Sequence, residues 1–347
     1  MSGGVDSAVA AYLLKEQGYD VIGLTVRTWD SKSGDSRCCE IDDARLVCKA
    51  LDIPYNVVNA VSDFKNTVTD PFIESYRNGI TPNPCINCNR YVKWDRMINW
   101  ADITGARYVA TGHYASVIAL ENGRYTVRSA KHREKDQTYM LYKLSQEQLK
   151  RTLMPLGDLD KETVRDIAHK AGLHIAEKKD SQEICFVTDG NYADYIKEHT
   201  GGADPAAGNF VDIYGNILGT HNGIINYTVG QRKGLGIALG YPAYVKKIDA
   251  FRNEVVLCSE DEIYTCSIRC GDTNFMSISE PSKGDSFTAN VKIRYRHEAV
   301  PAIVTVTDHD DLLIEFSKPV RSPAPGQSAV FYDDSGCVIG GGVILPS

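Results

Sequence analysis

The sequence predicts an α/β domain on a parallel sheet, then a small β-rich linking domain and a C-terminal β-barrel. Three observations predict it. Strand-like and helix-like segments alternate through the first half, a glycine turn opens the chain directly before a helix, and helical periodicity is lost beyond a glycine-rich stretch at 201–208. A chain of 347 residues has room for two or three cores, and the domains are drawn at 1–194, 195–262 and 263–347.

Taken in order, Val5, Val9, Tyr12 and Leu13 recur at helical spacing, alanines favour the helix, and Gly18 stops it. Residues 20–29 read as a buried strand, 40–52 as a helix with an acidic start, and 55–61 as a second strand. Residues 63–78 and 86–104 read as helical, 107–112 as a strand running into a turn, and 160–172 as a further helix. Such alternation implies parallel strands covered by helices, with ligands collecting at the strands' carboxyl ends. Beyond the boundary the strands are short, and the barrel is expected to use 288–296, 301–307, 311–316 and 328–332.

Composition narrows the function. Hydrophobic residues are 43% and charged residues 24%, and no run approaches the roughly 18 apolar residues of a membrane span. With no signal peptide visible, the expected compartment is the cytoplasm, with no membrane partner. A net charge of −7 argues against indiscriminate nucleic-acid binding and leaves room for a local basic patch. Ten cysteines in such a chain point to core thiols, a metal site or redox chemistry rather than a disulfide framework.

Residues Ser2-Gly3-Gly4-Val5-Asp6-Ser7 have the chemistry of a pyrophosphate cradle. Two glycines let successive N–H groups face an anion, two serines add hydroxyl donors, and the helix dipole adds its field. A Ser-Gly-Gly turn alone is equally an ordinary capped loop. The Gly-Lys-Ser/Thr of kinases and GTPases is absent. A second cluster, Thr81-Pro82-Asn83-Pro84-Cys85-Ile86-Asn87-Cys88-Asn89-Arg90, sets a Cys-x-x-Cys pair at a helix start, where the dipole favours thiolate. Buried thiols or half a zinc site are the competing readings there. Cys185, between Ile184 and Phe186, reads by itself as a core residue.

The full string at residues 2–7 resembles the PP-loop of ATP pyrophosphatases. In that fold an apolar strand precedes the loop, so a misplaced start or a trimmed chain is expected here. Further motifs are Thr81-Pro82-Asn83-Pro84 with Cys88-Asn89, Ala110-Thr111-Gly112-His113-Tyr114 and Lys135-Asp136-Gln137. Asp180-Ser181 with Ile184-Cys185-Phe186, Tyr227-Thr228 with residues 230–236, and Arg294-Tyr295-Arg296 follow in the same order. Together they resemble the tRNA-specific 2-thiouridylases along the whole chain.

That resemblance implies an enzyme that uses ATP with Mg2+ to adenylate the C2 oxygen of the wobble uridine of glutamate-, glutamine- and lysine-type tRNAs. Cys185 would carry a persulfide, and Cys88 would be the partner that frees its sulfur, leaving a Cys88–Cys185 disulfide for reduction. A cysteine desulfurase or a sulfur-relay protein would be the donor. Cys85 stands where most members have aspartate. It either substitutes for that acid or joins Cys88 and Cys185 as a ligand of a [4Fe–4S] cluster, with the same product. By motif position Ser2, Gly3, Gly4, Val5, Asp6, Ser7, Val26 and Gly112 would hold ATP. Asn83, Pro84, His113, Lys135, Asp136, Gln137, Arg294, Tyr295 and Gln327 would meet tRNA. Lys292, Arg294 and Arg296 are expected on one face of a strand, with Tyr295 on the other. A PP-loop ligase of a small metabolite and a catalytically inert tRNA-binding protein remain as alternatives. ATP-to-AMP turnover that requires tRNA excludes both.

Overall fold

The computed structural model describes residues 1–29, 41–178, 184–187, 191–201, 206–309 and 311–346. After the glycine turn, α1 (Val5–Glu16) buries Val5, Ala8, Val9, Ala10, Ala11 and Leu14. Strand β1 (Gly23–Arg27), α2 (Ile41–Ala50) and β2 (Tyr55–Asn59) form a crossover whose strands pair in parallel, Gly23 opposite Tyr55 and Arg27 opposite Asn59. Next come α3 (Val61–Phe64), a π-helical stretch Lys65–Thr69 and α4 (Asp70–Arg77), end to end. The same plan recurs in α5 (Pro84–Asn87), a π-helical stretch Cys88–Lys93 and α6 (Trp94–Thr104). The two wide π turns touch each other. Such turns recur at functional sites because they displace a side chain from the regular helical row.

Strand β3 (Val109–Ala110) pairs in parallel with β6 (Thr152–Leu153); between them lie the hairpin β4 (Ala115–Ala119) with β5 (Tyr125–Ser129), and α7 (Gln146–Lys150). Helices α8 (Lys161–Lys170) and α9 (Tyr192–Thr200) complete the domain. Among the described residues, parallel pairing in this domain is confined to the two short pairs rather than one continuous sheet. The main chain of Met1 lies against the edge of β1: its amino group donates to Leu24 O, and Thr25 Oγ1 donates to Met1 O at 2.7 Å.

The second unit is a four-stranded sheet of β7 (Gly208–Val211), β8 (Ile217–His221), β9 (Tyr244–Asp249) and β10 (Glu254–Cys258), in the order β8-β7-β10-β9. The third is a closed barrel of β11 (Tyr264–Phe275), β12 (Ser286–Lys292), β13 (Val300–Val306), β14 (Leu312–Arg321), β15 (Ser328–Tyr332) and β16 (Val338–Ile344). Closure removes the exposed sheet edges that short strands would otherwise present.

Three departures from the sequence reading have local causes. Strand β12 ends at Lys292, four residues short of the expected 296, and residues 293–296 turn. Strand β16 is not among the expected barrel strands; it carries Gly340, Gly341 and Gly342, and a Cβ at Gly341 would lie 2.6 Å from the Tyr142 ring. Packing rather than flexibility selects glycine there. Helix α9 crosses the boundary drawn at 194/195 into the stretch assigned to the β-rich domain and starts on Asn191, whose side chain accepts from Ala193 N at 3.0 Å.

The barrel is not a separate bead. Val330, Tyr332, Val338 and Met276 share one core with Trp94, Ile98, Tyr139, Leu141 and Tyr142 of the first domain. Arg124 donates to Met276 O and Phe275 O, both at 2.8 Å, and Thr126 Oγ1 to Val338 O at 2.6 Å. The barrel therefore has a fixed place relative to the cysteine loop.

Candidate functional site

The N-terminal loop is braced from three sides. Gly3 takes φ of +70°, which glycine adopts without strain, and Gly4 caps α1 with no side-chain hydrogen bond. The first-turn N–H groups are thus left for an anion. Ser7 Oγ donates to Gly4 O at 3.0 Å and accepts from Ser2 N and Ser2 Oγ at 3.1 Å. The serine hydroxyls expected as anion donors are engaged within the loop itself. Asp6 Oδ1 accepts from Tyr114 Oη at 2.7 Å and Lys161 Nζ at 2.8 Å. A carboxylate so held is a strut rather than a phosphate ligand. Gly112 lies beneath: a Cβ there would sit 2.6 Å from the Asp6 carbonyl carbon and 2.7 Å from Ser7 N. On the third side, Lys178 Nζ donates to Gly3 O at 3.2 Å and Asp43 Oδ2 at 2.6 Å, and burial lowers its pKa.

The cysteine loop is shaped by its own sequence. Asn83 is the N-cap of α5, accepting from Cys85 N at 3.2 Å, and Pro84 opens the helix where its missing N–H costs nothing. Cys85 is half-buried, and Cys88 begins the π turn at 4% exposure. Cys88 joins an apolar cluster with Phe64, Val68, Phe72 and Phe186, against which Cys185, Val26 and Trp29 pack. The structure thus brings together one cysteine from each motif and the end of β1. Cys88 is buried, and Cys85 and Cys185 are half-buried. Among the described residues no three His, Cys, Asp or Glu side chains converge to hold a metal ion. Asp180, Ser181, Cys38 and Cys39 lie outside the described residues.

Several residues expected at the tRNA surface are committed inward. Asp136 is buried and caps its own turn, accepting from Ala130 N at 3.0 Å and Thr138 Oγ1 at 2.7 Å. Gln137 locks onto Tyr114 through Tyr114 N at 2.9 Å and Tyr114 O at 3.0 Å. Lys135 ends the short turn Arg133–Lys135. Burial first, then Lys93, holds His113 down to about 3, so the ring is neutral near pH 7; it contacts Thr111 Oγ1 at 3.0 Å.

Because β12 stops at Lys292, the expected alternation of Lys292, Arg294 and Arg296 does not extend over one face. Arg294 Nη2 donates to Val229 O and Ser322 O, both at 2.8 Å, tying the loop before 230–236 to the barrel. Tyr295 turns toward the cysteine loop. Its hydroxyl pKa is raised, first by burial, then by Asp136 and, less, by Cys85, while Arg296 lowers it. Gln327 Nε2 donates to Thr81 O at 3.0 Å and Pro82 O at 3.3 Å, and Thr81 N donates to Pro325 O at 2.9 Å. The barrel thus grips the segment that presents Asn83, Pro84 and Cys85. The bracing residues Tyr114, Lys161, Lys178 and Asp43 were not singled out by the sequence; the only signal was Tyr114's place in the Gly112-His113 motif.

The chain matches the family models described as the tRNA methyl transferase HUP domain over residues 1–189, the tRNA methyl transferase PRC-barrel domain over 193–259 and the aminomethyltransferase beta-barrel domain over 266–344. These define a HUP-type α/β domain carrying two β-barrel modules. A protein of Lachnoclostridium phytofermentans, "tRNA-specific 2-thiouridylase MnmA", is 51% identical over 99% of this chain and 98% of its own. Proteins of the same name from Clostridium acetobutylicum and Clostridium perfringens are 46% and 48% identical, over 99% of this chain and 98% and 96% of theirs. The chain belongs to the tRNA-specific 2-thiouridylase family.

Proposed function

We propose that the protein forms 2-thiouridine at the wobble position of glutamate-, glutamine- and lysine-type tRNAs in an ATP-dependent reaction. The observation that carries the reading is the shared apolar cluster of Cys88, Cys185 and Val26, which joins a thiol pair to the strand beside the N-terminal loop. ATP bound at residues 2–7, with Val26 and Gly112 alongside, adenylates the uridine C2 oxygen and releases pyrophosphate. Mg2+ supplies charge neutralisation when bound, and it would travel with the phosphates and water, since no acidic cluster among the described residues converges to hold it.

The sulfur step balances within the thiol pair. The terminal sulfur of a Cys185 persulfide bonds to C2, and AMP departs with the C2–O bond electrons. Cys88 thiolate then attacks the Cys185 sulfur, breaking the S–S bond to the base and leaving the second sulfur on C2. A thiol reductant reopens the resulting Cys88–Cys185 disulfide, and a cysteine desulfurase or relay protein restores the persulfide. An apolar surround suits this chemistry because it excludes water from the activated uridine. Asn83, Pro84 and Cys85 face the base, and Tyr295 flanks them. Lys135 and Lys292 supply neighbouring tRNA contacts. This reading places the protein in the cytoplasm; no helix among the described residues is long and apolar enough to cross a membrane.

The test is 2-thiouridine formation on an unmodified tRNA transcript with ATP, comparing iron-free protein given a cysteine desulfurase and cysteine with anaerobically cluster-reconstituted protein. Product from the iron-free sample is expected. Product from the reconstituted sample alone would refute the persulfide route.

A further inference from the structure

The ATP-binding reading leaves open what orients the N-terminal loop. Its softest unit is the peptide joining Gly3 to Gly4, because two flanking glycines let that plane turn over at little cost. In a planar trans peptide the Gly3 carbonyl and the Gly4 N–H point to opposite sides. Whatever holds the carbonyl therefore decides where the N–H faces. Lys178 Nζ is the group on that carbonyl, at 3.2 Å.

The ammonium is itself held. Asp43 Oδ2 accepts from it at 2.6 Å, and Asp43 Oδ1 meets His174 Nε2 at 3.3 Å, so the lysine reaches the loop from an anchored position. The next peptide is held as well, its Gly4 carbonyl taken by Ser7 Oγ at 3.0 Å and Ala8 N at 3.3 Å. With the Gly3 carbonyl drawn to Lys178, the Gly4 N–H faces the opposite side of that peptide.

We propose that Lys178 is a positioning residue of the nucleotide site: by holding the Gly3 carbonyl it sets the Gly3–Gly4 peptide so that the Gly4 N–H faces the phosphates of ATP. It acts through the backbone of the loop and not by contact with the nucleotide. The proposal rests on the ATP-binding reading above.

The experiment measures binding of α,β-methylene ATP by calorimetry and tRNA-dependent AMP formation, in the full chain, for wild type, Lys178→Met and Lys178→Arg. Lys178→Met keeps the side chain's length and loses the donor. It is expected to weaken analogue binding and raise the KM for ATP by about tenfold, the worth of one charge-assisted hydrogen bond, with kcat at saturating ATP nearly kept. Lys178→Arg should restore binding to within about threefold of wild type, since it carries a donor to the same carbonyl. Affinity for tRNA and the melting temperature should stay at the wild-type values in both. Unchanged analogue binding in Lys178→Met, failure of arginine to recover it, or a parallel fall in tRNA affinity and melting temperature would each overturn the proposal. Wild-type protein that does not bind the analogue would overturn the ATP reading itself, and this inference with it.

Discussion

Replacing Gly112 by alanine tests whether the N-terminal loop depends on close backbone contact. The added Cβ would sit 2.6 Å from the Asp6 carbonyl carbon and 2.7 Å from both the Asp6 carbonyl oxygen and Ser7 N. Ordinary contact begins at 3.4 Å, so the first turn of α1 must retreat by about 0.8 Å. It has little freedom to do so, because Asp6 is tied to Tyr114 and Lys161. Overpacking of this kind costs about 1–3 kcal/mol of stability. Displacing a binding frame by close to 1 Å costs on the order of a hundredfold in rate. The expected result is a fall of about 30- to 100-fold in kcat/KM for ATP, measured as tRNA-dependent AMP formation. Val9→Ala is the control for simple destabilisation: Val9 is fully buried on the same helix, and losing two methyl groups costs about 1.6 kcal/mol in transfer alone. Its melting temperature should fall comparably while its ATP kinetics stay near wild type. A Gly112→Ala enzyme with wild-type ATP kinetics, or a Val9→Ala enzyme equally impaired, would refute the reasoning.

Three other outcomes are expected. Cys88→Ala and Cys185→Ala each abolish thiolation and leave tRNA affinity within about threefold of wild type in filter binding; residual thiolation in either sinks the assignment. Gln327→Ala releases Thr81 and Pro82, so single-turnover thiolation should slow by about tenfold, the cost of one to two hydrogen bonds, with little change in tRNA affinity. Affinity falling as far as rate would make Gln327 a direct tRNA contact instead. His113 has its pKa lowered from 6.5 to about 3, so the unfolded chain binds more protons between those values and stability falls as pH drops through that window. The loss is about 1–2 kcal/mol near pH 5 relative to pH 7, and His113→Gln should remove that part of the slope in urea unfolding. An unchanged slope counts against the buried neutral ring.

How much was legible depends on whether the cause is local. The helix start at the Cys-x-x-Cys pair and the helix after Gly4 follow from residues within a few positions of each other, and the structure has them where the sequence implies. Strand β16 was not legible, because its three glycines carry no strand pattern: Gly341 is selected by the Tyr142 ring, about 200 residues away, and Gly340 and Gly342 by close contact with β11. The stripe of Lys292, Arg294 and Arg296 misled for a related reason. Alternation tells which side a residue faces only while the strand continues, and β12 stops at Lys292.

By itself the sequence determined the succession of an α/β domain, a β-rich stretch and a barrel, the glycine loop ahead of a helix and the two cysteine motifs, because backbone propensity and short-range spacing specify these. Only the tertiary structure decided that Cys88 and Cys185 share one apolar cluster, that Arg294 and Gln327 turn inward to hold loops, and that Lys161, Tyr114 and Lys178 brace residues 3–6. The partner of Asp6 lies 155 positions away at Lys161 and that of Gly3 lies 175 positions away at Lys178. No local pattern encodes such a pairing; it exists once the helices and the barrel have packed and brought the two groups within hydrogen-bond reach.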